Sequence, residues 1–318
     1  MPRRRSTSRR RAEDFDLGNK WVHVALALFL SAGHPVRAWA QACCAGGSAV
    51  TPGRLKPYED ALVGIQMRVA GVLGSYDVSG RYLASPAGDT EADLEQDLLG
   101  ALRVLPRGQV AVLIPLVETS RATPLDGSHF GGGIGDMNLS ARYDFALAGE
   151  RHYFPGLALL AGVTMPTGRP VESATSRLAV DATGIGAFQG QFGLALEQTF
   201  GPWLVNATGT VAARGSRFGE TLGTQITVLA AGAYTFTNDA ALALAVSYAF
   251  EGDARTTSGT PVPSSSKRVT TATISILWPL GNGWRLLGGV LLNPPIENLG
   301  SNQPTTGGFT FTVIRSWS

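Results

Sequence analysis

The side chains able to do covalent or acid–base chemistry are few and poorly placed for it. The chain has four histidines, His23, His34, His129 and His152, and two cysteines, Cys43 and Cys44. Asp126, Ser128 and His129 bring the residue types of a hydrolytic triad together in one short stretch. A working triad draws nucleophile, base and orienting carboxylate from separate elements, so this stretch does not make one. Gly131–Gly135 (GGGIG) has the small residues of a phosphate-cradling loop. It lacks the Lys-Ser/Thr that should follow, and it leads into a strand rather than a helix. It is expected to be an extracellular loop needing tight turns. No Cys/His spacing fits zinc. Neither an enzyme nor a cofactor is expected.

What remains is a set of charged and amide side chains at every second position. In the run from Asp136 to Asp144, Asp136, Asn138, Ser140, Arg142 and Asp144 alternate with Met137, Leu139, Ala141 and Tyr143, and Phe145 follows on the apolar face. A period of two is that of a β-strand with two unlike faces. An arginine at the midplane of a bilayer costs roughly 2–4 kcal/mol, so in a membrane Arg142 must face a watery interior and the other face must meet lipid. Arg68, Glu95, Asp97, Arg103, Glu197 and Asn206 join Asp136, Asn138, Arg142 and Asp144 as lumen-lining candidates. Mixed charge of this kind either braces a blocked barrel or lines a polar passage. The small inward positions Ala241, Ala243, Ala245, Ala249 and Gly193 favour an open passage on one wall.

Composition supports the membrane reading. Charged residues are 16 % of the chain and hydrophobic residues 44 %, with 40 glycines in 318 residues. A soluble protein this poor in charge would struggle to cover its surface. Yet after the N-terminal segment no apolar run is long enough for a membrane helix. Low charge without apolar runs leaves the β-barrel, whose signal is alternation. Net charge is +2, and six arginines lie in residues 1–11, so nothing points to nucleic-acid binding.

The N-terminal segment reads as a signal peptide over 1–42. Arg3–Arg11 and Lys20 form its positive region, Trp21–Ala32 its apolar stretch, and Ala38-Trp39-Ala40 and Ala40-Gln41-Ala42 overlapping cleavage sites, after Ala40 or Ala42. Cys43 is a candidate for lipidation, although the residues before it make a poor lipobox. Residues 43–60 are expected to be a periplasmic leader and 61–318 the barrel.

The expected strands are 61–73, 93–104, 108–117, 135–147, 156–166, 185–199, 203–213, 224–236, 240–250, 269–279, 284–293 and 309–317. Their connections alternate long and short. Gly74–Ala92, Glu118–Ile134, Thr167–Gly184, Arg214–Gly223, Glu251–Arg268 and Pro294–Gly308 are long. Turns such as Gly201-Pro202, Thr237-Asn238-Asp239 and Gly281-Asn282-Gly283 are short, with hairpin chemistry. Short turns on one rim and long loops on the other describe an outer-membrane barrel. The fold class is therefore all-β, a transmembrane antiparallel up-and-down barrel of about twelve strands. Aromatics gather near strand ends: Tyr143, Phe145, Phe154, Phe200, Trp203, Phe236, Phe250, Trp278, Trp284 and Trp317 are expected in headgroup girdles. Arg315 shares a face with Trp317 and is tolerable there only close to the interface.

Gly133-Ile134-Gly135-Asp136, leading into DMNLSARYDF, and Gly162-Val163-Thr164-Met165-Pro166-Thr167-Gly168 resemble a known group of outer-membrane proteins, the "meta-pathway of phenol degradation" family. The resemblance is specific across Gly133–Gly168 and extends as a pattern from Gly64 onward. It implies a barrel in the outer membrane of a Gram-negative bacterium that passes small hydrophobic or aromatic solutes. The partners expected are outer-membrane lipid, such a solute and the barrel-assembly machinery. Two other readings stay open: a structural or adhesion barrel with a blocked lumen and ligand-binding loops, and a soluble β-sandwich whose outer faces would be polar.

Overall fold

A computed structural model describes residues 53–150 and 153–318. The signal segment 1–42, its cleavage sites, Cys43, Cys44, His23, His34 and His152 lie outside the described residues.

Thirteen strands build one antiparallel wall: β1 (Ala61–Tyr76), β2 (Thr90–Leu105), β3 (Gly108–Thr123), β4 (Gly127–Ile134), β5 (Met137–Ala146), β6 (Gly156–Met165), β7 (Gln189–Phe200), β8 (Trp203–Arg214), β9 (Gln225–Thr235), β10 (Ala241–Glu251), β11 (Lys267–Gly281), β12 (Trp284–Leu292) and β13 (Gln303–Trp317). Each pairs with its sequence neighbour, except that β4 and β5 share one place. β4 pairs with the far half of β3, and β5 with its first half, Gly108–Leu113. The wall thus has twelve positions. It closes where β1 meets β13, paired from Ala61↔Trp317 to Tyr76↔Gln303 with one bulge between Val72 and Gly74. Closure leaves no backbone edge to lipid, which could not hydrogen-bond it.

Every expected strand is present. The difference is at Glu118–Ile134, read from sequence as a long glycine-rich loop. β3 runs on to Thr123, a tight turn follows, and GGGIG lies within or just after β4. Glycine in a strand marks a close approach as often as a turn, and here the approach is from a loop described below. Residues 185–188, expected to begin β7, are not strand.

The two faces separate as the alternation requires. On β1, Val63, Ile65, Met67 and Val69 are exposed, while Leu62, Gln66 and Arg68 face inward. On β5, Leu139, Tyr143 and Phe145 are exposed; the Arg142 and Asp144 side chains are 12 % and 15 % exposed and point into the lumen. The outer surface is therefore an apolar belt around an ionic interior. That is the inverse of a soluble sandwich, and the soluble reading falls with it.

Tyr143, Phe145, Phe154, Phe200, Trp203, Phe236, Trp278, Trp284 and Trp317 sit on the rim of short turns, many of them in edge-on clusters such as Trp203–Tyr234 at 5.0 Å and Tyr234–Phe236 at 5.1 Å. Phe250 instead belongs to the opposite rim, level with Phe188, Phe192 and Phe309. Two girdles frame the belt. The short-turn rim is the periplasmic one by this architecture.

Candidate functional site: the barrel lumen

The lumen is built from every second residue of the wall, and its two sides differ. From β10 through the β1–β13 seam to β3 the inner wall carries an apolar patch. Leu62, Leu99, Ala101, Ala241, Leu277, Leu287 and Ile314 form one buried cluster, with Ala111 packed against it. The arc from β5 to β8 is polar: Arg142, Asp144, Glu197 and Asn206 face one another there.

Gly53–Asp60 enters this space. An extended chain points successive side chains in opposite directions, and Arg54 and Leu55 use this to reach opposite walls. Leu55, 4 % exposed, completes the apolar cluster. Arg54 pairs with Glu197, which also receives Arg142 at 3.2 Å and the Asn206 amide at 2.9 Å. Gln109 holds the segment's backbone: its Oε1 accepts the Leu55 N–H at 3.0 Å and its Nε2 donates to the Gly53 carbonyl at 3.1 Å. Nearer the rim, Arg103 donates to the Glu59 carbonyl at 2.8 Å and to that of Lys56 at 2.5 Å. The Glu59 carboxylate takes the Ser316 hydroxyl at 2.8 Å and the Arg285 guanidinium at 3.3 Å. The room expected beside Ala241 is filled by Leu55 and its neighbours, which form an apolar seal against this wall.

Above this seal lies a cavity of about 340 Å³. Leu99, Leu113 and Leu160 supply apolar surface; Gln66, Asn138, Gln191, Asn206, Thr208 and Thr210 supply uncharged hydrogen-bonding groups. At mid-height one guanidinium stands against two carboxylates, and Asp97 has only an uncharged amide as its partner. Arg68 pairs with Glu95 across β1 and β2, and Gln66 donates to Asp97 at 3.1 Å.

The extracellular mouth is narrowed by the connection between β6 and β7. Asp136 fixes it at both ends, accepting the Gly168 N–H at 2.9 Å and the Ile185 N–H at 2.5 Å. The Thr167 hydroxyl donates to the Gly135 carbonyl at 2.6 Å and accepts the Met137 N–H at 3.0 Å. The two motifs that carry the family resemblance therefore join into one structural unit. A Cβ on Gly168 would come within 2.7 Å of Gly184, so the joint needs glycine there. Inside the mouth, Arg121 donates to the carbonyls of Leu178 and Ala179, two residues in the left-handed region at φ 55° and 50°. Asp181 accepts the Thr175 and Ser176 N–H groups and the Arg169 guanidinium, and these bonds hold its carboxyl well below the usual carboxylate range.

The ten sequence-derived candidates do not form a single cluster. Arg142, Asp144, Glu197 and Asn206 meet in one network; Arg68, Glu95 and Asp97 form a second group; Asn138 bonds Thr164 at 3.0 Å at the cavity wall. Arg103 and Asp136 are anchors, one for the inserted segment and one for the mouth. His129 contacts the Asp126 carbonyl at 3.0 Å, while the Asp126 carboxylate holds Arg177 at 2.9 Å, so the three residues form no relay. Sequence reasoning missed Arg54, Leu55 and Gln109. Arg54 and Leu55 lie outside any alternating run, and Gln109 reads as one more inward polar residue.

A closed barrel with a lipid-facing apolar belt, two aromatic girdles and short and long rims has the architecture of an outer-membrane β-barrel. Its fold is that of an outer-membrane channel from Pseudomonas putida F1, at a TM-score of 0.65 and 15 % identity over 83 % of this chain and 100 % of that one. At that identity the likeness establishes the fold. Weaker likenesses are the translocator domain of the autotransporter NalP from Neisseria meningitidis (TM-score 0.48, 12 % identity, 94 % and 97 % covered) and the CymD monoaromatic hydrocarbon channel (0.44, 9 %, 89 % and 95 %). No protein-family model and no curated protein matches the sequence.

Proposed function

We propose that the chain is an outer-membrane pore for small, uncharged, hydrophobic or aromatic solutes, with no catalytic step. One observation carries this reading. The mid-lumen cavity offers leucine surface and amide groups, while the two guanidiniums that line it, Arg54 and Arg142, are already paired with Glu197 and Asp144. Such a site accommodates an apolar ring with a hydrogen-bonding substituent better than an ion, because an ion entering it would lose hydration without gaining a free counter-charge. On this reading the leader is cleaved after Ala40 or Ala42 and the barrel-assembly machinery inserts the chain in a Gram-negative outer membrane.

A blocked structural barrel is the second reading, favoured by the apolar seal around Leu55. One experiment separates the two. Protein is reconstituted into vesicles in its native form and with residues 54–59 replaced by a glycine-serine stretch. Uptake of a neutral monoaromatic compound is compared with that of its carboxylate analogue. A pore takes up the neutral compound faster than empty vesicles do, and the replaced form gains ionic conductance in planar bilayers. No uptake by either form would leave the blocked barrel standing.

A further inference from the structure

Arg315 stands out on the lipid-facing surface. It lies on the outward side of β13, following Phe309, Phe311 and Val313, in a belt otherwise made of apolar and aromatic side chains. Its register partners are Trp284 on β12 and Val63 on β1. The guanidinium lies 5.3 Å from the Trp284 ring and 5.2 Å from the Trp317 ring. No carboxylate is within ion-pair distance of it among the described residues. Of the acids beside this rim, Glu59 is turned inward to Arg285 and Ser316, and the exposed Asp60 meets Trp317 through its backbone N–H at 2.7 Å.

Two indoles can cover the faces of a guanidinium, but they cannot satisfy its N–H donors, which project from its edge. In water those donors would be hydrated. Here they point along a surface that meets lipid, two residues in from the periplasmic end of the wall. At that depth the anionic groups supplied by a bilayer are phosphate esters. A guanidinium edge binds a phosphate through paired, charge-assisted hydrogen bonds. The indoles restrain the arginine in advance, so less freedom is lost on binding.

We propose that Arg315, stacked against Trp284 and Trp317, binds the phosphate of one phospholipid of the periplasmic leaflet. The site lies outside the lumen and does not depend on what the pore carries. It fixes the depth of the β12–β13 hairpin beside the closing seam.

The test is native mass spectrometry of the purified full chain in detergent, titrated with phosphatidylglycerol and, separately, with diacylglycerol bearing the same chains. Wild type is expected to bind one phosphatidylglycerol ahead of all others and to show no such preference for diacylglycerol. R315Q should weaken that first site about tenfold. R315K keeps the charge but loses the paired edge, and should fall between the two. R81Q, in an exposed loop on the other rim, should bind as wild type does. If R315Q does not fold, R315K carries the test. Equal first-site affinity in wild type and both variants overturns the proposal, as does equal binding of diacylglycerol. Displacement of the lipid by inorganic phosphate at matched concentration would reassign the site to a free anion and overturn it as well.

Discussion

At the residue scale, the molecule turns on Glu197. It is 3 % exposed and accepts from Arg54, Arg142 and Asn206, so one carboxylate offsets two buried guanidiniums, with Asp144 sharing Arg142. Buried pairs contribute little net stability when complete, yet removing one partner leaves the other charge uncompensated. E197Q preserves shape and removes the charge. It should lower the unfolding free energy by about 3–5 kcal/mol, measured by urea titration of the barrel folded in detergent. A change under about 1 kcal/mol would mean that the network is solvated rather than buried. The ionic side of this site was legible in the sequence. Arg142, Asp144 and Glu197 stand at inward positions because a charge turned to the hydrocarbon is costly away from the interface. Their partner Arg54 was not legible, because nothing in a Gly-Arg-Leu-Lys-Pro stretch says that it folds back into a lumen.

At the scale of elements, what could be read was set by which solvent imposes the pattern. Lipid on one side and water on the other force strict alternation, and β5 and β10 follow it along their length. Where the wall rises above the bilayer that constraint ends and the pattern fades. This is why β4 looked like a loop. Its glycines answer to a neighbour instead. Gly131 faces inward opposite Thr119, and a Cβ there would lie 2.7 Å from the Val180 side chain and 3.0 Å from its carbonyl. Gly133, one step along the same face, has Thr183 no nearer than 3.7 Å. G131A should therefore push the mouth loop away from the wall at a cost of about 1–3 kcal/mol, and G133A should leave it in place. Trypsin reports the difference at Arg177, whose side chain is 70 % exposed but whose backbone is held by the folded loop. When cleavage follows the open population, that cost raises its rate about 5- to 150-fold for G131A. Equal rates for the two variants would show that Val180 does not rest on the strand.

For the molecule as a whole, orientation in the bilayer follows from an asymmetry between the girdles. The described tryptophans, Trp203, Trp278, Trp284 and Trp317, all lie at the periplasmic rim, whereas the opposite girdle is built from Phe188, Phe192, Phe250, Phe309 and Tyr248. Indole combines an apolar body with an N–H donor and prefers the headgroup boundary, where both are satisfied; phenylalanine has no such polar handle. The rim facing phospholipid headgroups therefore carries indole, and barrel closure holds all four rings at nearly one depth. Trp21 and Trp39 belong to the segment expected to be removed, so these four should account for the fluorescence of the processed chain. In vesicles of brominated lipid, quenching should be strongest with bromine near the carbonyl end of the chain and weakest with bromine near its tip. Strongest quenching at the tip would put the indoles in mid-bilayer. The rim of short turns could not then mark the membrane boundary, and the vertical placement of belt, seal and cavity would have to be redrawn.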